Sequence, residues 1–329
     1  MSSEEFVLVT GAAGFIGANV VRSYSTRGSR IVSVDNLEHF DSRKEHQGID
    51  FGTRVETLEL FNWLEYVKPN IAAIIHMGAC ANTMETDRSF LWKMNVEYSQ
   101  RLWTYATEHS IPFVYASSAA TYGDGSLGYD DDESLIPKLK PLNAYGDSKQ
   151  AFDLWAIDQD KIGECPPLWS GWKFFNVYGP GERHKGNMAS VVLHAFDQIN
   201  QRGSVKLFRS HREGIADGHQ KRDFIFVEDV LSVLRFALEA DIEPGIYNLG
   251  SGQSRTFLDL ANAVFASLNR EPNIEFIDTP IEIREKYQYL TEAQMDRVRE
   301  LGYDKPFTSL EEGVAKYVAQ LNRTTSLSN

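Results

Sequence analysis

Cysteine is nearly absent from this chain: its 329 residues hold two, Cys80 and Cys165. A cluster of thiolate metal ligands is excluded, a disulfide framework is not expected, and each cysteine reads as a small buried hydrophobe. No metal site is expected. No apolar run approaches the roughly 20 residues that a membrane-spanning helix needs. The opening "MSSEEFVLVTG" has no basic stretch followed by an apolar one, as a secretory signal would. Positive charge is also in deficit, with 33 Lys plus Arg against 46 Asp plus Glu and a formal charge of −13. That balance opposes non-specific binding to nucleic acid or an anionic membrane, so any phosphate site must be local. The expectation is a cytoplasmic protein with neither kind of partner. Repeats, low-complexity segments and linkers are missing as well.

What is present is alternation. Short apolar runs, "FVLVT" from Phe6, "IVSVD" from Ile31, "IAAIIHMG" from Ile71 and "IPFVYASS" from Ile111, are separated by longer helical patterns. That order signals repeated βαβ units, and the near-continuous apolarity suits parallel strands covered on both faces. Further strands are expected in "WKFFNVYG" from Trp172, "DFIFV" from Asp223 and "GIYNLG" from Gly245. In "TFLDLANAVFASL" the residues Phe257, Leu260, Ala261, Val264 and Leu268 fall on one helical face. Loops are expected around 181–187 and 210–220. The fold class is α/β, a doubly wound parallel sheet of Rossmann type with a smaller, discontinuous α/β lobe. Residues 1–175 with 222–250 are assigned to dinucleotide binding, and 176–221 with 251–329 to a substrate lobe.

In "FVLVTGAAGFIG" a strand breaks into Gly11, Gly14 and Gly17 before a helical pattern begins. A helix start leaves backbone N–H groups unpaired where the dipole favours anions, and glycine lets a pyrophosphate approach closely. The next strand ends in Asp35, placed to accept hydrogen bonds from a ribose. Asp35 should repel a 2′-phosphate and favour NAD, while Arg43 and Lys44 just beyond it could fold back as counter-charges. Charge alone leaves both open.

"NAYGDSK" sets Tyr145 and Lys149 four apart, on one face of a helix. A neighbouring ammonium and a positive nicotinamide ring would lower the phenol, whose ordinary pKa is about 10. Tyr145 could then exchange a proton with a substrate hydroxyl while Lys149 holds the nicotinamide ribose. Ser118, at a strand end, could share that proton, although a strand-end serine more often caps the backbone.

The glycine spacing, the Ser118, Tyr145 and Lys149 set, and "FFNVYGP", "KRDFIFVEDV" and "YNLGSG" together resemble the extended short-chain dehydrogenase/reductase (NAD-dependent epimerase/dehydratase) family along essentially the whole chain. The resemblance implies a nucleotide diphosphate sugar held by the second lobe. Dehydratases of this branch carry Asp and Glu after the catalytic hydroxyl residue, whereas Ala119 and Ala120 stand here, so elimination is disfavoured. "VYGPGERHKGNMASVVLH" and "GYDKPF" resemble the 6-epimerases of the family. These imply tightly held NADP, with NAD as the alternative, and an ADP-heptose or another nucleotide diphosphate sugar oxidised transiently at C6. Because the ketone must turn before it is reduced, a second proton-transfer group is needed, and the resemblance makes it Lys185. The alternative for Lys185 is an exposed loop lysine.

By the same resemblance, Gly11, Gly14, Phe15, Ile16, Gly17, Asp35, Asn36, Met77, Gly78, Ala79, Cys80, Ala81, Asn95, Tyr145, Lys149 and Val177 contact the coenzyme. Ser118, Asn176, Lys185, Asn187, His194, Phe208, Arg209, Ser210, Arg222 and Tyr287 line the substrate site, with Arg222 as a partner for the diphosphate. Asn176 and His194 have the alternative of being satisfied inside the core. Three features depart from the family pattern: the long stretch between Ser210 and Lys221, Met77 in place of an acid, and Lys173 in place of an arginine. A homo-oligomer is expected. The rivals are an epimerase inverting C4 of a UDP-hexose and a non-catalytic dinucleotide sensor.

Overall fold

A computed structural model describes residues 5–284 and 287–326. Its strands are β1 (Phe6–Thr10), β2 (Arg30–Asp35), β3 (Thr53–Glu56), β4 (Ile71–His76), β5 (Phe113–Ser118), β6 (Trp169–Phe174), β7 (Asn176–Tyr178), β8 (Val205–Phe208), β9 (Lys221–Phe226), β10 (Gly245–Leu249), β11 (Ser254–Thr256) and β12 (Ile274–Ile277). Seven form one sheet in the order β10-β6-β5-β4-β1-β2-β3, and every pairing in it is parallel. This is the expected doubly wound α/β architecture. The chain reverses direction across the sheet between β1 and β4, where such folds open a crevice at the carboxyl ends of the strands. Val7, Leu8 and Val9 of β1 are buried, as are Ile74, Ile75, Phe113 and Val114 on the strands beside it, which is why these runs lack polar alternation.

A second core gathers Val192, Phe196, Leu207, Phe226, Leu260 and Val264 with Val314 and Val318 of the helix Leu310–Ser326. Around it lie a three-stranded sheet ordered β11-β9-β7 and the pair β12-β8. Val298 and Tyr303, late in the chain, join the larger core instead.

"WKFFNVYG" is not one strand. β6 begins earlier, at Trp169, and belongs to the large sheet, whereas β7 pairs with β9 in the small one. Phe175 makes the transfer: its N–H donates to the Leu249 carbonyl (3.1 Å), and the Val177 N–H donates to the Phe175 carbonyl (2.8 Å). Because Phe175 is itself buried, the apolar pattern does not mark the step between sheets, which comes just before the exposed Asn176. Leu268 also differs from expectation, ending half-buried at the C-cap of the helix Phe257–Ser267. Among the described residues no helix is long and apolar enough to cross a membrane.

Candidate active site

The turn after β1 places Gly11 at φ +62°, with Gly78 N only 2.7 Å from where a Cβ would sit. A Cβ on Gly17 would lie 2.0 Å from the Gly11 carbonyl oxygen. Both positions therefore require glycine. The helix Phe15–Ser25 starts at Gly14 with no side-chain cap and no acid in its first turn, so its leading N–H groups remain available to an anion. This cradle fits a dinucleotide pyrophosphate.

Asp35 closes the far end of the turn. Its Oδ2 accepts from the Ala13 N–H (3.0 Å), and its Oδ1 accepts from the Asn36 N–H (2.8 Å) and faces His39 Nδ1 at 3.0 Å. Arg43 folds back and donates to the Ala13 carbonyl, while Lys44 stays exposed. Of the two basic residues weighed for this loop, Arg43 alone lines the cavity.

That cavity, of about 600 Å3, is also lined by Ser118, Tyr145, Lys149 and Lys185. Ser118 ends β5, and its hydroxyl accepts from the Ala120 N–H at 3.1 Å. Tyr145 lies in the first turn of the helix Ala144–Lys161, whose N-cap Asn143 accepts from the Gly146 N–H at 2.8 Å. The Ser118 hydroxyl acts on the Tyr145 phenol, pulling its pKa down. Lys149 Nζ, buried, donates to the Ala116 carbonyl at 2.9 Å, and burial pulls its pKa down to about 8. Burial pushes the Tyr145 pKa up, more than the Ser118 hydroxyl pulls it down. The charges of Cys80 and Asp153 act in the same upward direction as burial. Lys185 comes from the turn Arg183–Met188 and lies 5.3 Å over the Phe15 ring; burial lowers its pKa against the opposing pull of Glu182.

A second cavity, of about 740 Å3, is lined by Thr83, Arg88, Asn176, Arg222, Tyr287, Gln288 and Thr291. The two cavities share Thr83, Ser118, Phe174, Phe175 and Asn176 as walls. Arg222, at the start of β9, has its guanidinium 5.3 Å from the Tyr287 ring and 5.5 Å from the Phe257 ring. Its one hydrogen bond among the described residues goes to the Lys221 carbonyl (2.9 Å). A buried cation with no acidic partner among the described residues, beside a cavity, suits an anionic ligand.

Residues 7–250 match the family described as NAD dependent epimerase/dehydratase. The chain belongs to that family. It is 44% identical over 323 residues to an ADP-L-glycero-D-manno-heptose-6-epimerase of Fusobacterium nucleatum, covering 95% of this chain and 96% of that protein. It is 45% identical over 318 residues to a protein of the same name from Nitratidesulfovibrio vulgaris, covering 95% and 97%. The crystal structure of the Helicobacter pylori ADP-L-glycero-D-manno-heptose-6-epimerase shares the fold, with a TM-score of 0.80, 23% identity and 97% of each chain covered.

Of the residues that the family resemblance brought forward, Gly11, Gly14, Phe15, Ile16, Gly17, Asp35, Met77, Ala79, Ala81, Asn176 and Val177 line the first cavity with Ser118, Tyr145, Lys149 and Lys185. Asn176 is exposed there and not sealed in the core. Asn95, Cys80, Gly78 and Asn36 do not line that cavity. Asn95 accepts from the Cys80 N–H (2.8 Å) and donates to Ser148 Oγ (3.0 Å), the Gly78 N–H donates to Thr10 Oγ1 (3.1 Å), and Asn36 caps the helix Leu37–Ser42. Asn187, His194, Phe208, Arg209 and Ser210 line neither cavity. Arg209 pairs instead with Asp217 at 2.9 Å, inside the long loop. The sequence reading missed His39, Thr83, Arg88, Gln288 and Thr291. Only His39 carried a signal, its spacing of four from Asp35; the rest arrive by tertiary contact.

Proposed function

We propose that the chain is an ADP-L-glycero-D-manno-heptose 6-epimerase, interconverting ADP-D-glycero-D-manno-heptose and ADP-L-glycero-D-manno-heptose with an NADP retained throughout, in the supply of lipopolysaccharide core precursor. One observation carries the reading: two groups able to move a proton, Tyr145 and Lys185, line one cavity beside a pyrophosphate cradle. The kinship with proteins of that name supports it. Ala119 and Ala120 follow Ser118 in a single turn at the second cavity, and methyl groups supply no proton for an elimination.

When bound, the dinucleotide supplies reversible two-electron oxidation at C6. The glycine turn holds its pyrophosphate and Asp35 its ribose; His39 and Arg43 beside Asp35 favour a 2′-phosphate and hence NADP over NAD. Ser118 and Tyr145 hold the C6 oxygen in one pose and Lys185 meets it in the other. Burial keeps Tyr145 a phenol and makes Lys185 easier to deprotonate, so Lys185 suits taking the hydroxyl proton and Tyr145 suits returning one. Arg222 and Tyr287 hold the sugar nucleotide. Residues 1–175 with 222–250 build the coenzyme lobe and 176–221 with 251–329 the substrate lobe, with Arg222, Asn176 and Lys185 reaching across the boundary, in a cytoplasmic homo-oligomer.

The test is incubation with ADP-D-glycero-D-manno-heptose deuterated at C6, followed by NMR. Inversion with the label kept at C6 is expected. Inversion of UDP-galactose at C4 with no action on the heptose would overturn the reading in favour of a 4-epimerase.

A further inference from the structure

Glu45 has no part in the chemistry above, yet it joins the coenzyme side of the cleft to the segment bearing Lys185. It lies in the turn Lys44–His46, and its Oε1 accepts from both the backbone N–H and the ring Nδ1 of His184, each at 2.9 Å. The partners are 139 positions apart in sequence. Their side chains are only 15% and 16% exposed, so water competes weakly for the bond. Burial acts upward on Glu45, but the His184 hydrogen bonds outweigh it and hold the carboxyl down at about 2.

His184 immediately precedes Lys185. The base of their turn is fixed separately: buried Glu182 accepts from the Ser190 N–H and hydroxyl, both at 2.6 Å, and its carbonyl accepts from the Lys185 N–H at 3.0 Å. Two positions before Glu45, Arg43 reaches the glycine turn through the Ala13 carbonyl. One short loop thus touches the coenzyme cradle with Arg43 and the Lys185 turn with Glu45.

We propose that Glu45 is a positioning residue for the reaction, fixing the placement of Lys185 through its paired hydrogen bonds to His184 and tying that placement to the coenzyme loop. The proposal rests on the role given to Lys185 above. The test uses the coenzyme-loaded protein and two readouts. In Glu45→Ala, kcat should fall about tenfold to a hundredfold while KM for the sugar nucleotide stays within about twofold, as for a misplaced reacting group. Glu45→Gln, whose amide oxygen can accept the same two bonds, should recover most of the loss. Without sugar, Lys185 should react several times faster with an amine-acylating reagent in Glu45→Ala, read by peptide mass spectrometry.

Unchanged labelling, or equal impairment in the Ala and Gln variants, would overturn the proposal. His184→Ala, which spares the main-chain bond, should fall between wild type and Glu45→Ala. If Glu45→Ala does not fold, a His184→Ala protein matching wild type in both readouts would overturn it too. A wild type inactive on the heptose defeats the functional reading, and the labelling comparison still decides the role of Glu45.

Discussion

His76 ends β4 buried between two hydroxyls, Thr10 Oγ1 at 2.6 Å from Nδ1 and Ser99 Oγ at 2.8 Å from Nε2. Ser99 spends its only proton on the Asn95 carbonyl (2.7 Å), so it accepts from Nε2–H and leaves Nδ1 to accept from Thr10. The ring is therefore held neutral. Burial first, and the Lys149 charge second, push its pKa down to about 3, against an ordinary value of about 6.5. Between those values the unfolded chain binds more protons, so stability is lost as pH falls through that window. The loss is on the order of 4 kcal/mol at about 1.4 kcal/mol per unit. Urea unfolding from pH 7 to 3 should show it, and His76→Gln should flatten that part of the slope. Tyr145→Phe should lower kcat about 10²- to 10⁴-fold with the dinucleotide still bound, as absorbance of the denatured supernatant would report. Ser118, Tyr145 and Lys149 were legible because each sits at a strand end or a fixed helical spacing. The His76 network was not, since it joins residues 66 and 23 positions apart.

The helix Ala144–Lys161 presents Tyr145 and Lys149 because Asn143 starts it. Asn143→Ala should cost about 1 kcal/mol in unfolding free energy and, by loosening the first turn, depress kcat more than KM. Behind that helix, Trp92–Glu97 is a π-helical stretch, a form that recurs near functional sites. It carries Asn95 to the Ser148 hydroxyl, which in turn donates to the Tyr145 carbonyl at 2.7 Å. In the glycine turn, Gly17→Ala should abolish coenzyme retention, since the added methyl cannot coexist with the Gly11 carbonyl; the coenzyme content of the purified variant checks it. The long central strands were legible from their apolar runs. β3 was not, being an edge strand with only Val55 buried, and neither were β11, of three residues, or the ribbon β8 and β12. No run forms where so few side chains face a core.

At the scale of the molecule, the two cavities, proposed above for coenzyme and sugar nucleotide, meet at Ser118 and Asn176. The first is built from the local motifs of the large sheet, and so was readable. The second is assembled from β9, the segment 287–291 and the turn after β5, brought together by links such as Thr291 Oγ1 to Asn176 Oδ1 (3.4 Å) across 115 positions, which no local pattern records. The separation makes the two binding functions independently breakable. Arg222→Ala removes a cation of the second cavity that has no acidic partner among the described residues, and leaves the glycine turn intact. ADP affinity should fall about tenfold to a hundredfold, the worth of a hydrogen bond to a charged group, with coenzyme content unchanged. Arg43→Ala should do the reverse, weakening NADP more than NAD while ADP-sugar binding holds. Titration calorimetry of both variants with each ligand checks the pair, and loss of both ligands from either variant would mean that the cavities act as one.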